Sequence, residues 1–582
     1  MAEDQAPLSS SEITHRLPTD DGPLNHEAVS NNHTPALSSP QPARAEKRKM
    51  DKPPTESKDS LREVVETVVF VVVLVLLLKS FVAEAFVIPT GSMATTLYGY
   101  QKNVECPKCH YVFPLNCSDE VEKGLGPITD GTCPNCRYHI EFDRSTFLPT
   151  TGDRVLVDKS LYDLFFPPNR FDVVVFKFPK EPQTRAHVQM NYIKRLVGLP
   201  GETVAIYGGD LYVSDDFQHP SPAKNLDVRE QMQMDDRDSM VVFQHQIIDQ
   251  TPITEERLKG KKYRILRKPP DKILSMRRIV YDSDFPAEDM AGRLRWLPEP
   301  ESDWKLDNKN LPRVFKHSGP ELSWLRYRNI LRDSDAPRLI TDFMGYNSAR
   351  GEQGHNWVPD LVLECDVEVA QDEGSVVLEL RKGPDIFQAR FNLADGKCTL
   401  VRIAAGKEEE LGVADSGVKT GSYRLRLANV DERLVVWVNR NLIFGDGVVY
   451  DPPRRRGPFA DNDLRPASIG VKGNATVEHI KLHRDTYYTT ARGGTPGNSD
   501  AEPRGDITWK ENSRAWSDPN TWDPLRDLTP KTLYVQPEHF LCLGDNSPES
   551  SDGRDWGLVP RRLLLGRALL VYWPYDRAGA IR

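Results

Sequence analysis

The chain has no excess of positive charge, no second long hydrophobic run and almost no aromatic residue in its first sixty positions. With a formal net charge of −9 over 582 residues and no large basic domain, wholesale binding to nucleic acid is not expected. Residues 1–60 are rich in Ser, Pro, Thr, Asn and charge and cannot bury enough apolar surface to offset the entropy of ordering, so a disordered tail is expected there. Only the twenty residues Val64 to Ala83, with the unbroken run Val68 to Leu78, are long and apolar enough to cross a bilayer. A secretory signal peptide is the rival reading, since Ala83-Glu84-Ala85 has the small-x-small form of a cleavage site. The sixty polar residues ahead of it make an uncommonly long leader, which favours an uncleaved anchor. Arg44, Lys47, Arg48, Lys49, Lys52, Lys58 and Arg62 outnumber the nearby acids, so the positive-inside rule puts the N-terminus in the cytoplasm and everything after Ala83 outside. The later apolar stretch Leu563 to Trp573 carries Gly566 and Arg567 and reads as a strand.

Beyond the anchor come two knuckles, Cys106-Pro107-Lys108-Cys109 and Cys133-Pro134-Asn135-Cys136, separated by 23 residues. Two close thiolate pairs supply a tetrahedral site, so Cys106, Cys109, Cys133 and Cys136 are the expected ligands of a structural zinc. Two disulfides are the alternative, permitted by an extracytoplasmic location; short knuckles containing proline favour the metal. Cys117, His110 and His139 are surplus to a four-cysteine site, and a closed site leaves no position for catalysis.

Runs of β-formers follow at 152–159, 171–176 and 191–198, the last leading into the turn Leu199-Pro200-Gly201-Glu202. Residues 216–535 read as a long insertion. Its centre, with short strands at 361–367, 375–381, 386–393, 423–427 and 433–438, resembles concanavalin-like, laminin-G-type β-sandwiches, which implies a carbohydrate or protein ligand for it. Cys365 and Cys398 read as core thiols, and residues 493–530 as a linker. The polar stretch Gly544 to Pro560 reads as a loop whose spacing does not fit a calcium-binding EF-hand.

Three separated blocks occur in one order: Phe86-Val87-Ile88-Pro89-Thr90-Gly91-Ser92-Met93, Tyr192 to Glu202, and Gly544-Asp545-Asn546 through Pro560. Together they resemble bacterial type I signal peptidases, membrane-anchored Ser-Lys endopeptidases of protein export, over about residues 61–105, 147–215 and 536–582. The resemblance implies that Ser92 is the nucleophile and Lys194 its general base, a pairing that requires a buried lysine because a free one is almost wholly protonated at neutral pH. It further implies an oxyanion hole from the Ser92 N–H and the Thr90 hydroxyl. Ser550 and Asp552, with Arg554 pairing to an acid, would support the lysine, while Asp545 shapes the loop. Phe86, Ile88, Leu97, Tyr192 and Ile193 would wall a cleft that accepts Ala-x-Ala sequences, with the peptide laid along strands near Ile88. No Ser-x-x-Lys arrangement links the pair, unlike penicillin-recognising enzymes. Where the family usually has a proline before Thr-Leu, this chain has Ala94-Thr95-Thr96-Leu97.

The implied architecture is mostly β: a signal-peptidase-type antiparallel core behind one transmembrane helix, with an inserted β-sandwich. Its parts are a cytoplasmic tail (1–60), an anchor (61–83), a first core segment (84–215, holding a zinc-ribbon-like insert at 104–141), the insertion (216–535, with the sandwich at about 300–485) and a second core segment (536–582). Expected partners are signal-peptide-bearing preproteins and the lipid bilayer, not nucleic acid. No cofactor is expected for catalysis, and the expected location is the bacterial inner membrane. Two other readings are a surface-anchored binding protein with a relic core and a zinc-ribbon nucleic-acid binder. Intact Ser92 and Lys194 oppose the first; topology opposes the second. Because both ends of the insertion return to the core, its replacement over about 220–530 is expected to spare the chemistry.

Overall fold

A computed structural model describes residues 60–160, 162, 166–179, 190–215, 248–249, 263–347, 354–452, 457–490, 513–526, 528 and 530–582. The expected tail lies outside these residues except for Ser60. The apolar run folds as a helix, Ser60–Leu77, continued by a wider turn at Leu78–Val82. Over Arg62–Val82, 21 residues with a mean hydropathy of 2.5, it is long and apolar enough to cross a membrane. Valine and leucine surround it on every side and stay exposed, so it has no polar face to turn to water.

The fold is mostly β. An eight-stranded antiparallel sheet is built from β1 (Ala83–Val87), β2 (Arg154–Asp158), β3 (Val173–Lys177), β4 (Asn191–Gly198), β5 (His539–Leu543), β6 (Val559–Pro560) and β7 (Leu564–Trp573), in the order β1-β2-β7-β3-β4-β5-β6, with Gly579–Ala580 paired to β7. Residues that alternate along a strand face opposite sides. Val173 and Val175 of β3 join Ile88, Met93, Leu97, Val155, Val157 and Ile193 on one face, while Val174 and Phe176 join Leu196, Phe540 and Trp556 on the other. A five-stranded antiparallel sheet, ordered Ile248–Asp249, Lys531–Tyr534, Thr203–Tyr207, Asp210–Ser214, Arg264–Ile265, packs against it through Val197, Val204, Ile206, Leu211, Val213, Leu533 and Leu541.

The inserted strands form a third, fourteen-stranded sheet system around one large apolar core. Its axis is Ala467–Arg484, eighteen residues long, which pairs with Phe315–Tyr327 and Ser375–Lys382 over its first half and with Leu361–Val369 and Arg278–Asp282 over its second. Its strands therefore begin at Arg278, ahead of the residue 300 or so read from sequence. The segment was hidden because its first residue is a buried arginine, which breaks the apolar pattern of a strand. A second correction concerns residues 493–530: 513–526 are not a linker but tight turns that bury Trp516, Trp522 and Leu525 against Leu339, while 491–512 lie outside the described residues. Cys365 and Cys398 are free, buried core thiols.

Candidate active site

Pro89 leads the chain out of β1 into a tight turn, Gly91–Met93, in which Ser92 is 8% exposed. Three carbonyls of this turn region are fixed from outside: Tyr100 N donates to Pro89 O at 3.1 Å, Asn546 Nδ2 to Gly91 O at 3.0 Å and Asn546 N to Ser92 O at 3.0 Å. Gly91 lies under the ring of Tyr346, so a Cβ there would come within 2.5 Å of a ring carbon. Thr90 precedes the turn with extended backbone and an exposed side chain that makes no capping hydrogen bond.

Lys194 sits mid-way along β4, 102 residues from Ser92 in sequence, and its Nζ lies 2.7 Å from Ser92 Oγ and 2.9 Å from Ile193 O. It is 3% exposed, with Nζ 5.3 Å from the centre of the Tyr192 ring. Burial disfavours the ammonium and lowers its pKa from the ordinary 10.5 to about 8, against an opposing pull from the carboxylates of Asp552 and Asp545. A neutral amine at 2.7 Å from a hydroxyl can take its proton, which is the first act of serine-based acyl transfer.

Two fully buried ion pairs brace this pair. Arg195, next to the lysine, grips Asp545 with both arms, Nε to Oδ1 at 2.7 Å and Nη2 to Oδ2 at 2.6 Å, and Thr96 Oγ1 adds a bond to Oδ2 at 2.5 Å. Arg554 grips Asp552 in the same way, at 2.9 and 2.7 Å, while Gly544 N donates to Asp552 Oδ2 at 3.0 Å. Burial would raise both carboxyls, but the charge and bidentate bonds of the paired arginines hold them below the ordinary value. Asp552 thus acts on Lys194 through its charge. Ser550 Oγ is buried and hydrogen-bonds to no described group, so the support expected of it is not a direct bond to the lysine. It presses instead on Gly544, where a Cβ would meet Ser550 Oγ at 2.1 Å and Ser92 O at 2.5 Å.

Of the expected cleft residues, Phe86, Ile88, Leu97 and Ile193 share one apolar cluster with Met93. Tyr192 lies across the sheet, stacked on Phe178 at 4.6 Å and edge-on to Trp556. Sequence reasoning missed Arg195, although two adjacent cations in an otherwise apolar strand were a visible signal. Arg278, Asn347 and the bonding role of Asn546 left no signal at all.

The four knuckle cysteines converge from two hairpins, with all four sulfurs within 4.8 Å of one another. The knuckles are built alike: His110 N donates to Cys106 O at 2.8 Å, Arg137 N to Cys133 O at 2.9 Å, and both His110 and Arg137 take positive φ. Sulfur separations of 3.5 Å (Cys106 to Cys136) and 3.6 Å (Cys109 to Cys133) exceed a disulfide and approach the edge of about 3.8 Å that a tetrahedral zinc–thiolate site requires. The donor set therefore fits a zinc ion, and Arg332 Nη2, 3.4 Å from Cys136 Sγ, would offset thiolate charge.

The family model that matches this chain is signal peptidase, peptidase S26. It covers residues 144–265 and 480–573, which include Lys194, Arg195, Asp545 and Asp552, and passes over the block that contains Ser92 and over 266–479. Among curated relatives, a probable signal peptidase I-2 of Synechocystis sp. is 47% identical over 49 residues, 8% of this chain and 22% of that protein. A signal peptidase I of Pseudomonas aeruginosa is 31% identical over 145 residues, 23% of this chain and 31% of its own, and one of Rickettsia typhi is 25% identical over 166 residues, 28% and 48%. The chain thus spans less than half the length of each of these relatives. A solved carbohydrate binding module, CBM66 from Bacillus subtilis, aligns with 33% of this chain and 98% of its own at 10% identity and a TM-score of 0.22, a likeness that bears on nothing further here.

Proposed function

We propose that the protein is a membrane-anchored serine endopeptidase that removes signal peptides from exported preproteins after small-x-small sites. The observation that carries this reading is the 2.7 Å contact between Lys194 Nζ and Ser92 Oγ in a buried site that lowers the lysine pKa to about 8. The family match over the lysine strand and the Gly544–Pro560 loop supports it.

In this reading neutral Lys194 takes the hydroxyl proton as Ser92 Oγ attacks the scissile carbonyl, and the charge that develops on the carbonyl oxygen is met by the Ser92 N–H and the Thr90 hydroxyl. The lysine then hands its proton to the departing amine and activates water to release the acyl-enzyme. Ile88, Ile193, Phe86 and Leu97 line the peptide's path with apolar walls that reject large side chains, while Tyr192, on the opposite face, stands against Lys194 Nζ. The helix 62–82 anchors the chain in the inner membrane with the hydrolytic centre on the extracytoplasmic side. Four cysteines, Cys106, Cys109, Cys133 and Cys136, hold a structural zinc, which supplies rigidity to the two hairpins. A carbohydrate or protein ligand is the partner proposed for the sandwich.

Purified full-length protein in detergent, given a preprotein with an Ala-x-Ala site, should release the signal peptide at that bond, as mapped by mass spectrometry. Ser92→Ala and Lys194→Met should each lower kcat at least about 1,000-fold. Substantial hydrolysis by a folded Lys194→Met variant would show that another base is at work.

A further inference from the structure

The hydrolytic turn is held in place by side chains that the matched family segments do not contain. Arg278 opens the first strand of the inserted sandwich and is 4% exposed, yet its guanidinium points away from the sandwich core. Nη2 donates to Ala94 O at 2.9 Å and Asp545 O at 2.8 Å, and Nη1 to Thr95 Oγ1 at 2.7 Å and Met276 O at 2.6 Å. One rigid fork thus ties the residues that follow Ser92 to the residue that precedes Asn546. Asn347, from a second part of the insertion, forms a reciprocal amide pair with Asn546, its Nδ2 to Asn546 Oδ1 at 2.6 Å and Asn546 Nδ2 to its Oδ1 at 2.8 Å. Asn546 in turn binds the carbonyls of the two peptide units that flank Ser92, Gly91 O and Ser92 O. Tyr346, adjacent to Asn347, covers Gly91.

We propose that Arg278 and Asn347 are positioning residues of the hydrolytic centre, supplied by the inserted sandwich, which set the Ser92 turn against the Asp545–Asn546 segment. The inference rests on the Ser-Lys reading above. Neither side chain touches Ser92 Oγ or Lys194 Nζ; each acts through the backbone that aims the hydroxyl. Arginine suits the first post because a planar fork can serve several carbonyls at once, which a lysine ammonium of the same charge does not do in fixed directions. Asparagine suits the second because its amide sets a donor and an acceptor side by side, matching the acceptor and donor of Asn546.

The test uses full-length protein in detergent and an Ala-x-Ala peptide. Arg278→Met, Arg278→Lys and Asn347→Ala are compared with Arg390→Ala, a half-buried residue whose bonds to Gln388 and Glu408 stay within the sandwich. Active sites are counted by acylation with a serine-directed reagent, and kcat is expressed per titrated site. Expected are a kcat at least tenfold lower for Arg278→Met and Asn347→Ala with KM within threefold, an intermediate loss for Arg278→Lys, no change for Arg390→Ala, and an unmoved midpoint of the pH–rate curve because the lysine's burial is untouched. A kcat per titrated site within twofold of the parent in both Arg278→Met and Asn347→Ala, with losses confined to the number of titratable sites, would overturn the proposal and leave a purely structural role. If neither Arg278 variant folds, Asn347→Ala decides the matter by the same criterion. Ser92→Ala is run in parallel: if it stays active the dyad reading fails, and if it is inert while the positioning variants are normal only this inference fails.

Discussion

Lys194 is asked to be neutral where an ordinary lysine is charged, and the burial that achieves this works against folding. Its pKa of about 8 in the fold stands below the ordinary 10.5, so below pH 8 both the folded and the unfolded chain hold the proton and the full cost of a buried ammonium is present. Between about 8 and 10.5 the folded chain sheds the proton first, and stability relative to a variant without the amine rises with pH. Lys194→Met is therefore expected to be more stable than the parent at pH 7, by up to about 3 kcal/mol, with the gap closing as the pH approaches 10.5. Denaturant titrations at pH 7 and pH 10 check this, and a gap that widens with pH would refute the assignment. The same titration should appear in catalysis: kcat/KM rises with pH through a midpoint near 8, with the protonated form inert. A rate that falls from pH 7 to 9 would point to a base other than this amine.

At the scale of the element, the loop after β5 is built around a position with no room for a side chain. Gly544 lies between Ser550 Oγ and Ser92 O, so Gly544→Ala must push the 544–552 loop and the Ser92 turn apart. Displacement of a reacting group by about 1 Å costs on the order of 100-fold in rate, and overpacking adds about 2 kcal/mol of destabilisation. Steady-state kinetics and a melting curve on this variant should show both. The twin knuckles are the other element that stands on local geometry. The purified protein should carry one zinc per chain by metal analysis, and a strong chelator should lower its melting temperature by roughly 5 °C or more. Gly345 rests on Thr132 O and Pro134 of the second knuckle, beside the Tyr346 that covers Gly91, so loss of the ion should also slow turnover. Mass shifts that reveal two disulfides in place of zinc would reverse the assignment of these cysteines.

For the molecule as a whole, the contacts of Arg278, Tyr346 and Asn347 argue against a separable insertion. Replacement of residues 278–484 by a short Gly/Ser linker is expected to leave a membrane-bound protein with less than about 1% of the parent turnover; a deletion variant with full activity on a simple peptide would show that the sandwich only docks partners. What was legible in the sequence follows a physical pattern. The strands at 173–177, 191–198 and 361–369 announce themselves by β-branched runs between turns, and Cys-x-x-Cys knuckles carry their geometry in their spacing. The Ser92 and Lys194 assignments came from motif resemblance, and no local rule could have joined residues 102 apart. Arg278, at the start of a strand, and Asn347, in a tight turn, were invisible because a lone polar residue gives no sign of which distant group it will meet.

The strand order has a consequence in time. β7, residues 564–573, lies between β2 and β3, and Asn546 grips a turn 455 positions before it, so the Ser92 turn is made long before Asn546 and β7 reach it. On the Ser-Lys reading proposed above, Ser92 remains an unaided hydroxyl until residues near 570 have slotted into the sheet. Ala83-Glu84-Ala85, which has the form of a cleavage site, is by then locked in register against Leu156 to Asp158 as a paired strand. On the Ser-Lys reading, activity would await the pairing of these last strands, after that tripeptide has been withdrawn into the sheet.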